Sequence, residues 1–203
     1  LISTGSDKGC ETLGLSVMTP DKASISYGTT ATIQLAVKDY FEPQKFLPAY
    51  PAVISDMYNP EIEIYRGFWL LSWFVKEFGA RESMEAEAAG CLPEKILDEK
   101  IKSIPAGSDG LLLQPYWTPG ILKPNSRGAV VGFADYHTHL HLYRAIIEGL
   151  ALELYMALDI MEKRSGLNIK EIFVSGGGAK SDVVCQITAD VFGLPVKRIQ
   201  THE

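Results

Sequence analysis

Three short stretches of this sequence pair residue types that can handle phosphate or protons with glycines that let a ligand approach. Asp7 lies between Gly5-Ser6 and Lys8-Gly9. A carboxylate among small residues at a helix start can act as a general base or cap the helix, and the local sequence leaves both roles open. Gly28-Thr29-Thr30 separates two runs rich in Ile, Ser, Thr and Val. A glycine followed by two hydroxyl residues at a hairpin tip can offer several donors to phosphate oxygens. Val174-Ser175-Gly176-Gly177-Gly178-Ala179-Lys180-Ser181 reads as strand, tight turn and helix start. Free N–H groups and the positive end of a helix there suit an anion or nucleotide. This is no Walker A loop, since Ala179 precedes Lys180-Ser181 and the first glycine is replaced by Val174.

His137, His139 and His141, with Asp135 nearby, invite a metal reading. If Thr138 caps the following helix, the three rings do not share one face, which argues against a shared ion. The metal question therefore stays open at the level of sequence.

The elements that must position these residues follow from hydrophobic period. A helix begins near Asp7 and closes over Leu13–Met18. Ala23–Tyr27 and Ala31–Val37 form a hairpin around Gly28-Thr29. Tyr40–Pro60, with its prolines and aromatics, is a loop. Glu63–Gly79 reads as a helix with Ile64, Phe68, Leu71 and Val75 on one stripe, Trp69 and Trp73 packing in the core. Pro93 opens a helix through Lys102. Leu111–Leu113 and Ala129–Phe133 read as short buried strands. A long helix spans about Thr138 to Arg164, apolar over much of its circumference, with Gly149 allowing close backbone packing. Glu171–Ser175 is a strand, Ser181–Phe192 a helix ended by Gly193, and Pro195–Ile199 a further strand. A hairpin in front and helix–strand–helix–strand behind make an α/β domain on a mixed sheet.

Bulk properties narrow the class. The 203 residues are 46% hydrophobic and 22% charged, the balance of a globular domain with a real core. Nineteen Lys and Arg against 25 Asp and Glu give a net charge of −6 without a basic cluster, which excludes nucleic acid as a partner. Apolar runs are interrupted before they reach membrane-spanning length. Cys10, Cys91 and Cys185 are unpaired in pattern, as in a reducing compartment, and a cytoplasmic location is expected. Both ends look abrupt, so a portion of a longer chain is expected.

In this order the segments resemble the C-terminal domain of FGGY carbohydrate kinases. Thr4-Gly5-Ser6-Asp7-Lys8-Gly9 with Leu13-Gly14-Leu15 is similar to the family's Gly-x-Gly-Asp stretch. Ser26–Thr30 resembles its Gly-Thr-Ser/Thr hairpin. Gly128–Phe133 and Arg144–Gly149 resemble its second signature, and Ser175–Ser181 its adenosine loop. The last of these looks more like xylulokinases than glycerol kinases. The resemblance implies an actin-like ATPase (ribonuclease H-like) domain, a mixed sheet with flanking helices, here comprising residues 1–203. It implies ATP and Mg2+ as cofactors, a sugar or polyol substrate and an N-terminal sugar-binding domain elsewhere in the chain; a homodimer is compatible with it. Asp7 would be the catalytic base. Gly28, Thr29, Thr30, Gly177, Gly178, Ala179 and Ser181 would hold the nucleotide. One departure is the loop after Pro115-Tyr116, where Trp117-Thr118-Pro119-Gly120 replaces the family's Gly-Glu-Arg-x-Pro.

Overall fold

Alternating small or apolar residues drive the central sheet, because successive side chains of a strand face opposite ways. The computed structural model describes residues 5–120 and 123–199. Its main sheet has five strands in the order β5-β2-β1-β8-β9. These are β1 (Lys22–Tyr27), β2 (Ala31–Leu35), β5 (Glu61–Ile64), β8 (Glu171–Ser175) and β9 (Val196–Arg198). Strand β2 runs antiparallel to both β1 and β5, while β1, β8 and β9 are parallel. The expected mixed sheet is therefore present.

One face of this sheet is apolar. Ile25, Ile33, Ile62, Ile172 and Val174 all bury there against α5 (His139–Ser165) and α6 (Asp182–Phe192). Helix α5 is 27 residues long, with buried positions running from His141 to Met161. Gly149 permits its close approach to β6 (Leu112–Gln114), since a Cβ there would lie 2.4 Å from the Leu113 carbonyl oxygen. The Thr138 N–H donates to His141 Nδ1 at 3.1 Å, and both side chains form a capping box at the start of α5.

The opposite face carries α1 (Asp7–Gly14) and a small second cluster of Leu15, Val17 and Ala36. Remaining elements are the short pair β3 (Tyr50–Pro51) and β4 (Tyr58–Asn59), helices α2 (Trp69–Phe78), α3 (Ala80–Ala89) and α4 (Pro93–Ile101), and β7 (Ala129–Val131) paired with β6.

Four expectations need correction. Glu63-Ile64 belong to strand β5, not to the helix, which begins only at Trp69. The four residues Glu61-Ile62-Glu63-Ile64 alternate charged and apolar, and the edge of the sheet claims that period-2 pattern. Helix α3 has no counterpart in the sequence reading, because its Ala- and Glu-rich run has no apolar stripe to announce it. Strand β7 is not buried: Val131 and the following Phe133 are exposed on the flank. Finally α1 stops at Gly14, after which Ser16 turns with a positive φ and Leu15 and Val17 enter the second cluster.

Candidate active site

The polar side chains of the sheet fall into two rows set by strand register. Gln34 of β2 stands between Ser24 of β1 and Glu61 of β5; two residues along, Thr32 stands between Ser26 and Glu63. On the far side of β1, Ser26 pairs with Ser175 of β8. These residues all lie on the face away from α5. Ser24, Ser26, Thr32 and Gln34 are buried there, and the Thr32 hydroxyl has no hydrogen-bond partner.

Helix α1 lies along these rows. Its Thr12 hydroxyl donates to Gln34 Oε1 at 2.6 Å in the first row. One turn earlier, Lys8 Nζ donates to Ser26 Oγ at 3.1 Å in the second row, and Glu11 bonds the Ser175 hydroxyl. Rows two residues apart are about 6.8 Å apart, and a helical turn rises about 5.4 Å, so the two periods keep step. Toward its N-terminus α1 packs on Val53, against which Gly5 and Gly9 both lie. Gly28–Thr30 and Gly176–Gly178 gather at one end of the sheet, where parallel strands β1 and β8 finish. Ligands of open α/β sheets characteristically bind at such strand ends.

The ambiguity over Asp7 is resolved in one respect. Ser6 is the N-cap, its Oγ accepting the Gly9 N–H at 3.0 Å. Asp7 occupies the first helical position and is exposed. Its carboxylate is not used in capping.

At the hairpin tip, the carbonyl oxygens of Thr29 and Gly28 accept the N–H groups of Gly67 and Phe68 at 2.8 and 3.1 Å. Oxygens that would repel a phosphate are thereby occupied. Thr29 is exposed, but the Thr30 hydroxyl donates to the Tyr65 carbonyl at 3.2 Å. Thr30 therefore fastens the tip, with its hydroxyl proton committed.

The three glycines after β8 have different duties. Gly176 has φ +83°, and a Cβ would lie 3.0 Å from the Tyr27 backbone, so a side chain there is opposed twice. Gly178 packs on Phe68 and Tyr27, which a Cβ would approach to 2.8 Å. Gly177 alone faces open space, with nothing within 4 Å of a built Cβ. Ala179 is buried, and its carbonyl accepts from Arg198 Nη1 at 3.0 Å. Ser181 caps α6, its Oγ accepting the Val184 N–H at 3.1 Å. Ala179 and Ser181 thus have structural duties of their own.

The imidazoles diverge. His141 Nε2 is 3.2 Å from Asp109 Oδ2, His139 Nε2 is 3.2 Å from Glu82 Oε1, and His137 Nδ1 accepts the Ala134 N–H. Among the described residues no group of three or more His, Cys, Asp or Glu side chains is arranged to hold a metal ion.

The residue that sequence reasoning missed is Glu61. Burial pushes its carboxyl up to about 7, Glu63 and Glu11 add to the rise, and Lys8 and Gln34 oppose it. The signal was present in the Glu-Ile-Glu-Ile alternation, but only the register places Glu61 opposite Gln34. Stability should depend on pH accordingly. A carboxyl raised in the folded state binds a proton that the unfolded chain releases, so its contribution is full below pH 4.5 and is lost as pH rises through about 7. Glu61→Gln should therefore stabilise the fold at pH 8 by about 1–3 kcal/mol, allowing for partial exposure, and by much less at pH 4.5. Urea unfolding at the two pH values checks this; equal differences would contradict it.

Comparison with known proteins follows the same segments. Residues 23–203 match the FGGY family of carbohydrate kinases, C-terminal domain. An uncharacterized sugar kinase of Escherichia coli K12, YgcE, is 31% identical over 98% of this chain and 40% of its own length. A Bacillus subtilis xylulose kinase is 26% identical over 98% of the chain and 38% of its own. Among solved structures, the xylulose kinase of Rhodospirillum rubrum superposes with a TM-score of 0.81 at 25% identity, over 97% of this chain and 38% of that one. The chain thus spans about 40% of the length of these relatives.

Proposed function

Because this chain belongs to the FGGY family of carbohydrate kinases and matches its C-terminal domain, we propose that it supplies the nucleotide-binding half and the catalytic base of an ATP-dependent sugar or polyol kinase. The observation that carries the reading is an exposed Asp7, not used in capping, on a helix docked across the same sheet whose end holds the β1–β2 tip and the open Gly177. The expected sugar-binding domain would close over that end, and the xylulose kinase relatives favour a sugar substrate of that type.

In this reading the substrate hydroxyl oxygen attacks the γ-phosphorus of ATP in line. The new O–P bond forms as the bond from phosphorus to the β,γ-bridging oxygen breaks, and ADP leaves. Asp7 accepts the hydroxyl proton, a role worth roughly 10²–10⁴-fold. Donors at the Gly28-Thr29-Thr30 tip offset charge on the transferring group, which needs positioning and electrostatic support more than covalent help. Adenosine lies over Gly177. Mg2+, when bound with ATP, would supply further positive charge to the phosphates, held mainly by their oxygens and by water rather than by a protein cage. A cytoplasmic setting suits three free cysteines.

Residues 1–203 alone should bind nucleotide but release no ADP in a sugar-dependent manner, because the acceptor is not held in line. Coupled-assay turnover by the isolated chain would overturn this division of labour. A sugar panel on the whole enzyme tests the function itself; absence of ATP-dependent phosphorylation of any sugar or polyol would remove the reading.

A further inference from the structure

We propose that Glu61 is a positioning residue for phosphoryl transfer, holding the Asp7-bearing helix α1 in register on the sheet through Gln34 and Lys8. The proposal rests on the kinase reading above and adds a residue to it.

Helix α1 has only eight residues, and the buried ones are Gly9 and Thr12. No apolar side chain within it is buried, so its hold on the sheet is polar. The apolar anchor comes after the helix, at Leu15 and Val17. Its N-terminal half, which carries Asp7, packs on Val53 through Gly9, and the helix reaches the sheet through Lys8, Glu11 and Thr12.

Two of these three lead to Glu61. Thr12 donates to Gln34 Oε1, which leaves the Gln34 amide NH2 as its other end, on the strand residue paired directly with Glu61. Lys8, bonded to Ser26 Oγ and to Glu11 at 3.1 Å each, also attracts the Glu61 carboxylate. The charged groups facing Glu61 are Lys8 and Glu11 from α1 and Glu63 from its own strand, with uncharged Gln34 from β2. Among them Lys8 is the cation. Deprotonated Glu61 therefore draws Lys8 toward the sheet; protonated, it releases that pull and leaves Lys8 to Glu11 and Ser26.

Because Glu61 changes charge near pH 7, the docking of α1 should change there too. An unshifted carboxylate such as a free Glu would titrate near 4.3. Turnover limited by the position of Asp7 should then fall on the acid side through a midpoint near 7, well above the range of an ordinary carboxylate base.

The test uses the whole enzyme at saturating ATP and sugar, with kcat measured from pH 5 to 9. The wild type should show the acid limb near 7. Glu61→Gln should remove that limb and leave a flat profile, lower than the wild-type plateau by on the order of fivefold, as for residues sharing one hydrogen-bond network. Lys8→Met should likewise lose the limb, Lys8→Arg should keep it, and the Glu61→Gln/Lys8→Met pair should lose no more than either alone. A limb near 7 that persists in Glu61→Gln, or losses that multiply in the pair, would overturn the proposal. Should Glu61→Gln fold poorly, the two Lys8 variants carry the same test. Failure of the wild type to phosphorylate any sugar sinks the kinase reading itself, whereas normal activity with an unmoved limb sinks only the role of Glu61.

Discussion

Replacing Asp7 by Asn in the whole enzyme is expected to lower turnover by roughly two orders of magnitude or more while leaving its melting temperature within a few degrees. The two halves of that result come from different atoms. Ser6 caps α1, so the substitution leaves the bond from the Gly9 N–H untouched. Asp7 is exposed at the first helical position, where Asn is readily accommodated. An amide cannot take a proton at neutral pH, so a base is lost and a fold is kept. ATP affinity should change little, because the β1–β2 tip and Gly177 are unaltered. Steady-state kinetics beside thermal unfolding provide the check. Near-normal turnover in the Asn variant would reduce Asp7 to an acidic residue that merely favours the start of a helix.

The second large effect separates two adjacent glycines. Gly178→Val should destabilise the domain, because the new side chain would press on Phe68 and Tyr27 at 2.8 Å from its first carbon. Overpacking of that kind costs typically 1–3 kcal/mol, and a branched residue wedged between two aromatic rings belongs at the upper end. Tyr27 cannot give way easily: it is buried, stacks on Phe68 at 4.5 Å, and its hydroxyl bonds Thr188 at 2.7 Å. Gly177→Val, one residue earlier, should leave the melting temperature unchanged, since its side chain enters open space. If adenosine occupies that space, as proposed, KM for ATP should rise at least about tenfold, the effect of about 1.4 kcal/mol of lost binding, with KM for sugar little altered. Equal losses for both ligands in Gly177→Val, or a fall in its melting temperature, would argue against a specific nucleotide role.

The contrast also shows where sequence reasoning stops. Ser175–Ser181 could be read as a strand, a glycine turn and a helix start, and the structure has each of them. Three consecutive glycines look alike as letters, however. Only packing against β1 and α2 distinguishes the one that must be small for the fold from the one that leaves room for a ligand.

The hairpin, the long helix and the C-terminal strand–helix–strand unit were legible because their periods are long and unbroken. The edge strand was not: the apolar positions Ile62 and Ile64 are followed by Phe68 and Leu71 at helical spacing, and the two periods run together across Tyr65-Arg66-Gly67. The site was half legible. Asp7 and the glycine turns declare themselves through residue type and neighbours. Thr12, Gln34 and Glu61 come together through strand register and a helix crossing, which no local window contains.

The alternation of the central strands has an evolutionary consequence. Along β1, β2 and β5, residues that face α1 are flanked by ones that hold the core: Ser26 beside Ile25, Gln34 beside Ile33, Glu61 beside Ile62. Neighbours in the gene therefore answer to different constraints. Changes at the positions facing α1 can retune the charge of that face while the residues that pack on α5 stay as they are. A single sheet can in this way be kept as a scaffold while its other surface is rewritten, codon by alternate codon.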